Sequence, residues 1–386
     1  MIYLDSAATT LQKPPAVARA AAWAIQNLAS PGRGGHLPAR KAAETAFACR
    51  QAAADLFGME SPEQVVFTSN ATHGLNIAIR SLVKPGDKVL ISPWEHNAVT
   101  RPLHALGAEI LIAKAPLFDR QAQLDAFEVG LEARPAAVVC THVSNVFGFI
   151  LPIEEIAAMC RRRGVPLIVD ASQSAGCLPV RQDVLHATFL AMPGHKGLYG
   201  PQGTGLLLCA GEAIPLIQGG TGSASILQTM PEFLPDRLEA GTHNLPGIAG
   251  LLAGLRYVAG RTPQAIGQRE TLLIERAARK LSALPGLRVF QAKNPACQSG
   301  VLSFQVEGMD CEEVGELLSR RGIALRAGLH CAPLAHENAD TLERGTIRAS
   351  ISDFTEQTEV DRFVWEVSRL VTRSGPAPHR PLRNQN

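Results

Sequence analysis

Side chains that could do chemistry follow several apolar runs of this sequence, each at the point where a run ends. They are a hydroxyl, two histidines, an amide, a carboxylate and a lysine: Thr72, His96, His195, Asn145, Asp170 and Lys196. A carboxylate is costly to bury unless it is paired, and a lysine amine becomes a nucleophile only when it loses its proton in a shielded site. Any one of these residues alone would be an ordinary loop residue or helix cap. Together they predict a catalytic centre.

The elements that would position these side chains are short apolar, β-branched runs that alternate with helical patterns. The runs cover residues 65–68, 88–92, 109–113, 137–141, 167–170, 188–192 and 205–209. Because the runs lack apolar–polar alternation, they predict strands covered on both faces, and hence an α/β fold with a mostly parallel seven-stranded sheet flanked by helices. In such a sheet, ligands bind beyond the carboxyl ends of the strands. The polar side chains should therefore meet at one edge.

The pattern changes on either side of this region. Ala-rich helices are predicted at residues 15–29 and 38–57, and a third helix at 247–258 follows the sheet. Strand-like residues 301–306, 323–326 and 347–351 then alternate with helices that begin near residues 310 and 355. We therefore predict a large domain of residues 15–258 and a smaller α+β domain of residues 1–14 and 259–373. The polar, Pro-rich residues 374–386 predict a disordered tail.

Composition narrows the class of protein. Hydrophobic residues make up 46% and charged residues 19% of the 386 residues, which is enough apolar material for a large core. A net charge of +2 predicts no nucleic-acid or membrane partner. The eight cysteines show no zinc-binding spacing, so no metal site is predicted. Since neither a secretory signal pattern nor a membrane-spanning apolar stretch is visible, we expect a cytoplasmic protein.

The residues at the strand ends match the requirements of pyridoxal 5'-phosphate (PLP). This cofactor needs an amine for its aldehyde, a carboxylate facing its ring nitrogen, a flat side chain over its ring and a helix start for its phosphate. Lys196, Asp170, His96 and the turn formed by Ala71 and Thr72 fit these requirements in that order. A nicotinamide cofactor is disfavoured because no GxGxxG motif follows the first strand of the alternating region.

Motifs along nearly the whole chain resemble those of the class V aminotransferase family, and within it the cysteine desulfurases. They are YLDSAATT, RGGH, TSNATHGLN, EHNAV, HVSNVFG, VDASQSAG, GHKGLYGPQGTG, EAGTHN, RAGLHCA and TIRAS. VDASQSAG followed by the GHK lysine is specific for the PLP enzymes, and RxGxHC adds the desulfurase subclass. The resemblance implies the PLP-dependent transferase fold type I and a homodimer with a shared active site.

The resemblance also implies roles for the cofactor-binding residues. Lys196 would carry PLP as a Schiff base, Asp170 would pair with the ring nitrogen, and His96 would stack on the ring. Gln173 would hydrogen-bond the ring oxygen. The phosphate would be held by Ala71, Thr72 and His195, with Thr242 reaching in from the partner subunit.

For the substrate, the resemblance implies that Asn145 and Arg348 bind the carboxylate of L-cysteine, with Arg326 nearby. Cys331 would attack the substrate sulfur and become a persulfide while alanine leaves. The basic neighbours His330 and Arg326 provide a setting that favours a thiolate. The other cysteines are interpreted as core residues or carry no motif.

Three further features refine the resemblance. The short interval between Cys331 and Arg348 resembles the second desulfurase group, with its SufS-like and selenocysteine lyase-like members, and a short, stiff loop predicts slow sulfur transfer without an acceptor.

Pro193 departs from the pattern, because desulfurases commonly have a serine there that donates to the phosphate. One lost charge-assisted hydrogen bond costs ~1.5–3 kcal/mol of cofactor affinity. Asp5, Ser6 and His36 match family segments near the active site and its entrance.

Two alternatives remain open from the sequence. A related PLP lyase could act on selenocysteine or eliminate sulfur from another amino acid, and the Cys331 motif does not name the substrate. A non-catalytic sulfur carrier could have kept the fold, although a carrier has no need of Lys196, Asp170, His96 or Arg348. The sequence does not identify the sulfur acceptor, which would be a separate protein or molecule.

Overall fold

A mostly parallel sheet of seven strands forms the centre of the molecule, of which a computed structural model describes residues 1–31 and 34–373. Its strands are β2 (Val65–Thr68), β3 (Lys88–Ile91), β4 (Glu109–Ile112), β5 (Ala137–Thr141), β6 (Leu167–Asp170), β7 (Phe189–Pro193) and β8 (Gly205–Cys209). Their order is β2-β8-β7-β6-β5-β3-β4. β8 runs antiparallel to both of its neighbours, and the pairs among β3 to β7 are parallel. The predicted fold class is confirmed.

Successive residues of the buried strands enter different cores, which explains why the runs lack polar positions. Ile168 of β6 lies in a core with residues of α3 (Ala71–Leu82) and α4 (Asn97–Leu106). The next residue, Val169, lies in a core with residues of α2 (Leu37–Phe57), α5 (Arg120–Leu131), α6 (Ile153–Arg163) and α8 (Leu245–Arg261). Helices therefore cover both faces of the sheet. The helices α1 (Pro15–Asn27) and α7 (Gln182–Leu185) complete this part.

A second sheet with its own core is built from the C-terminal third of the chain. β9 (Leu287–Phe290), β10 (Val301–Val306), β12 (Arg326–Gly328) and β13 (Thr346–Ser350) form an antiparallel sheet in the order β12-β13-β10-β9. Its core includes residues of α9 (Pro263–Ser282), α10 (Cys311–Arg320) and α12 (Gln357–Arg373), while α11 (Pro333–Asn338) follows the loop after β12. The division into two domains stays a prediction, and α8 continues to Arg261, past the predicted boundary at residue 258.

One predicted strand is two strands in the structure. Residues 323–326 were expected to form a single strand, but β11 (Ile323–Ala324) pairs in parallel with β1 (Ile2–Tyr3), whereas β12 pairs with β13. The chain leaves one sheet and enters another at Leu325. This switch matters for the site, because β1 leads to Asp5 and β12 leads to the loop that carries Cys331.

Some of the predicted features lie outside the residues that the structure describes. Arg33 of the RGGH motif and the predicted tail, residues 374–386, lie outside the described residues. Within residues 1–31 and 34–373, no helix has the length and apolar character required to cross a bilayer. In the same part of the chain, no group of three or more His, Cys, Asp or Glu side chains is arranged to hold a metal ion.

Candidate active site

A cavity of about 200 Å³ lies at the carboxyl edge of the large sheet. It is lined by ten of the residues singled out from the sequence: Ala71, Thr72, His96, Asn145, Asp170, Gln173, His195, Lys196, Arg326 and Arg348. Two others, Cys331 and Thr242, do not line it and are exposed in this chain. A larger groove of about 770 Å³ between α2 and α8 contains none of these residues.

Asp170 is the last residue of β6 and is almost fully buried, with 3% of its surface exposed. It sits between Thr141 of β5 and Ala191 of β7 in the parallel ladder, so the sheet itself determines its position. Its Oδ1 accepts a hydrogen bond from the backbone N–H of Ser172 at 2.9 Å. That single bond leaves the carboxylate with further accepting capacity toward the cavity.

Lys196 follows β7 in a turn held by hydrogen bonds to its own backbone carbonyl and to that of His195. The N–H of Tyr199 donates to the Lys196 carbonyl at 2.9 Å, and the Thr10 hydroxyl donates to the carbonyls of His195 and Lys196 at 3.0 and 3.3 Å. Burial lowers the pKa of the Lys196 amine from 10.5 to about 8, with the Asp170 carboxylate opposing the shift and Arg348 adding to it. With this pKa, about a tenth of the amine is unprotonated, and therefore nucleophilic, at pH 7, far more than for a lysine in water.

Two histidines flank the lysine, and their surroundings favour the neutral form of each. His96 is the N-cap of α4, and its Nδ1 accepts a hydrogen bond from the Ala98 N–H at 3.0 Å, which assigns the ring proton to Nε2. Burial lowers the pKa of His96, although the Asp170 charge opposes this. Burial also lowers the pKa of His195 to about 4, assisted by Lys196 and Lys13. His195 Nδ1 is buried and has no hydrogen-bond partner among the described residues.

The start of α3 provides an anion site at the same edge. Asn70 caps this helix by accepting a hydrogen bond from the His73 N–H at 2.9 Å, which leaves the first N–H groups, those of Ala71 and Thr72, directed out of the helix. Gly205 of β8 packs directly against this turn. A Cβ at position 205 would lie 2.8 Å from the Asn70 backbone, so only glycine allows this close approach.

Arg348 of β13 brings a buried positive charge to the cavity, with 2% of its surface exposed. Its Nη2 donates to Asp5 Oδ1 at 2.8 Å, and its Nη1 donates to the Asn145 carbonyl at 2.9 Å. Nε is buried without a partner among the described residues. Burial lowers the pKa of this guanidinium, and the Asp5 carboxylate opposes that shift. An unpaired N–H on a buried cation suits a carboxylate ligand.

The loop after β12 holds Cys331 beside the cavity. The Cys331 carbonyl accepts from the Asn97 N–H at 2.7 Å, and the His330 carbonyl accepts from Asn145 Nδ2 at 2.8 Å. His330 and Cys331 have φ angles of 49° and 57°, in the left-handed region, which costs about 1–3 kcal/mol at each non-glycine residue. Contacts to the start of α4, to the loop after β5 and to Thr346 therefore hold a strained loop in place.

Cys331 also differs from the remaining cysteines in exposure. The other seven cysteines of the chain are all buried, as expected for core residues, whereas Cys331 is exposed. Burial raises the pKa of the thiols of Cys49 and Cys160 to about 12. Those thiols are therefore protonated and shielded at neutral pH, and Cys331 is the accessible thiol of the described chain.

Several contacts at the site join residues far apart in the chain and have no signal in the sequence. Asp5 contacts Arg348 across 343 positions of the chain, and the hydroxyls of Thr9 and Thr10 donate to the His195 carbonyl. Thr242 lies on a segment anchored by the buried ion pair between Arg50 and Glu239. Its expected action in a partner subunit stays a prediction. The YLDSAATT motif was the only signal that marked Asp5 at all.

The residues present fit PLP. The cavity combines a lysine with a lowered pKa, a buried carboxylate, a neutral histidine and a helix N-terminus, and the unpartnered nitrogens of His195 and Arg348 belong to residues that line it. Buried polar atoms without partners are rare in folded proteins, and a bound anion would satisfy these two nitrogens. The PLP phosphate and the substrate carboxylate are anionic groups that these nitrogens could hydrogen-bond.

Comparisons with known proteins agree with this site. A family model described as Aminotransferase class-V matches residues 2–363. A probable cysteine desulfurase of Pyrococcus abyssi (strain GE5 / Orsay) is 31% identical, over 96% of this chain and 94% of the relative. A probable cysteine desulfurase of Mycolicibacterium paratuberculosis is 30% identical over 96% of this chain, which spans only 55% of that longer relative. The apo structure of cysteine desulfurase from Thermococcus onnurineus NA1 superposes with a TM-score of 0.88 at 31% identity, covering 96% and 95% of the two chains. The chain belongs to the class-V aminotransferase family.

Proposed function

We propose that the protein is a PLP-dependent cysteine desulfurase that converts L-cysteine to L-alanine and leaves a persulfide on Cys331. The observation that carries the proposal is a single cavity lined by Lys196, Asp170 and Arg348, with an exposed cysteine held beside it. The names of the relatives support the same activity.

Lys196, Asp170 and His96 would hold the cofactor, with Gln173 reaching the ring oxygen. Ala71, Thr72 and His195 would hold its phosphate, and Thr242 would be added by the partner subunit of a homodimer. When bound, PLP supplies an aldehyde that takes the substrate amine and a ring that accepts the electron pair left at the substrate Cα. Asp170, which is buried in the cavity, would face the ring nitrogen and would favour its protonated form.

The substrate carboxylate would bind Arg348, and the Asn145 side chain, which anchors His330, would border the same position. Arg326 lies on the same cavity wall and adds positive charge. An amino acid held in this way presents its Cα to Lys196. With a pKa near 8, the Lys196 amine can accept the Cα proton and return one to the product.

Cys331 completes the reaction by attacking the substrate sulfur. The bond between the substrate Cβ and its sulfur breaks, a bond forms between that sulfur and Cys331 Sγ, and the carbon skeleton leaves as alanine after protonation. The thiol proton of Cys331 is retained in the products, so atoms balance without an external oxidant or reductant. The outer sulfur of the persulfide then passes to an acceptor thiol or protein. Because the loop that carries Cys331 is short and strained, we expect this transfer to be slow in the absence of the acceptor. A cytoplasmic location stays an expectation.

Alanine formation from L-cysteine, measured with the purified protein, its Cys331→Ala variant and a Cys297→Ala control, tests the proposal. Wild type and control should form alanine and, with a reductant, sulfide, whereas Cys331→Ala should lose both by about 10²-fold or more, because the attacking nucleophile is absent. Sulfide release that persists in Cys331→Ala would indicate an eliminating lyase. Parallel assays with L-selenocysteine separate a selenocysteine lyase, which would turn over that substrate without Cys331.

A further inference from the structure

Arg348 already has an anion before any substrate arrives. The Asp5 carboxylate lies 2.8 Å from Nη2, in a segment tied down by the bridge between Asp5 and Ser350 and by the Tyr3 hydroxyl, which donates to the Asp5 carbonyl at 3.3 Å. The Asp5 side chain is 22% exposed, while that of Arg348 is 2% exposed. The resting site therefore contains a nearly neutral pair and not a bare cation.

We propose that Asp5 is a positioning and specificity-determining residue that weakens the hold of Arg348 on amino-acid carboxylates. This rests on the proposed function, because it assumes that the substrate carboxylate binds Arg348. A second carboxylate entering beside Asp5 meets the repulsion of a like charge as well as the attraction of the guanidinium. Its net affinity is therefore lower than Arg348 alone would provide.

The weaker carboxylate binding affects the release of the product as well as the binding of the substrate. L-Alanine keeps the amine and the carboxylate of L-cysteine, so a site that binds the carboxylate tightly retains its product. The Asn145 carbonyl holds Nη1 at 2.9 Å, so Arg348 stays oriented while Asp5 limits the affinity. Asp5 thus exchanges binding strength for product release, which benefits an enzyme at substrate levels above its KM.

Removing the charge of Asp5 tests this directly. Asp5→Asn keeps an oxygen that can accept from Nη2 but leaves the buried guanidinium without a counter-ion, and a ligand carboxylate then supplies it. The dissociation constant of L-alanine, read from the absorbance of the PLP-loaded protein, should fall about three- to tenfold. Ethylamine, which is alanine without its carboxylate, should bind wild type and Asp5→Asn equally.

Three further variants complete the test. Asp5→Glu keeps the charge and should return the ratio of alanine to ethylamine affinity to that of wild type. Glu109→Gln removes a surface carboxylate 4.0 Å from Lys88 and should leave the ratio unchanged. Asp5→Ser removes the same charge with a smaller side chain and serves if Asp5→Asn does not fold.

Weaker or unchanged alanine binding in Asp5→Asn, or an equal change for alanine and ethylamine, would overturn the role of Asp5. Such a result leaves the proposed function intact as long as the wild type forms alanine from L-cysteine. A wild type that forms none contradicts the proposed function itself, so the two failures are distinguishable.

Discussion

The two halves of the site are held in different ways. Asp170 is the last residue of the buried strand β6 and Lys196 lies in the turn after β7, so strands paired on both sides position the backbone that leads to each residue. Cys331 lies on a loop whose left-handed conformation depends on a few hydrogen bonds to the rest of the protein. The half with Asp170 and Lys196, here called the cofactor half, is thus part of the core. The half with Cys331, here called the sulfur-accepting half, is an exposed loop bound to that core.

The difference matches what the proposed function requires of each half. Proton transfer at the substrate Cα requires fixed geometry, which a buried sheet provides. A cysteine that collects sulfur inside the site and delivers it outside must be accessible, and Cys331 is the exposed cysteine of the chain's eight.

The largest expected effect comes from removing the amine of the cofactor half. Lys196→Ala should not retain PLP absorbance after gel filtration, and its alanine formation should fall by about 10³-fold, because both the covalent link and the base are lost. Cys331→Ala is the matched comparison, since it should lose alanine formation but keep the absorbance. If Lys196→Ala stayed coloured and active, the two halves would not differ in the way described.

Substitutions in the two halves should also have different effects on the free energy of unfolding. Ile168 is fully buried in β6, two residues before Asp170, so Ile168→Ala should lower the free energy of unfolding by about 2–5 kcal/mol. Leu329, in the Cys331 loop, is 39% exposed, so Leu329→Ala should change the free energy of unfolding by no more than about 0.5 kcal/mol. Urea unfolding of both variants measures this. Equal losses would mean that the loop is as much a part of the core as the strand.

The smallest expected effect is a pH dependence in the cofactor half. Only the unprotonated Lys196 amine attacks the PLP aldehyde, and burial lowers its pKa from 10.5 to about 8. The rate at which PLP-free protein captures PLP should therefore rise about tenfold per pH unit below 8 and level off above it. Stopped-flow absorbance measures the rate, with Lys196→Ala as the blank. A rate that keeps rising toward pH 10 would contradict the lowered pKa.

How far the sequence could predict the structure also differs between the halves. Four of the predicted strand ranges of the large sheet, 65–68, 137–141, 167–170 and 205–209, coincide with β2, β5, β6 and β8, because strands buried on both faces leave a continuous apolar run. The last residue of a run, or one of the few residues that follow it, then marks the edge where a ligand binds. Asp170 and Lys196 were found by this local rule.

In the small sheet the predicted range 301–306 coincides with β10, but no local rule predicted the contacts that join this sheet and the Cys331 loop to the site. The ion pair between Asp5 and Arg348 and the hydrogen bond from Asn145 to the His330 carbonyl join residues 343 and 185 positions apart. Neither pairing has a periodic signal in the chain. The strand predicted at residues 323–326 failed for a related reason, since its two parts pair with different sheets and the pairing is decided by partners distant in sequence.

The most direct test of the account is the mass of the Cys331 peptide after the PLP-loaded protein is mixed with a stoichiometric amount of L-cysteine in the absence of reductant. The account predicts one added sulfur on Cys331, removed by a thiol reductant, together with an equal amount of alanine. Alanine formed without added sulfur on this peptide, or sulfur on one of the buried cysteines instead, would contradict it.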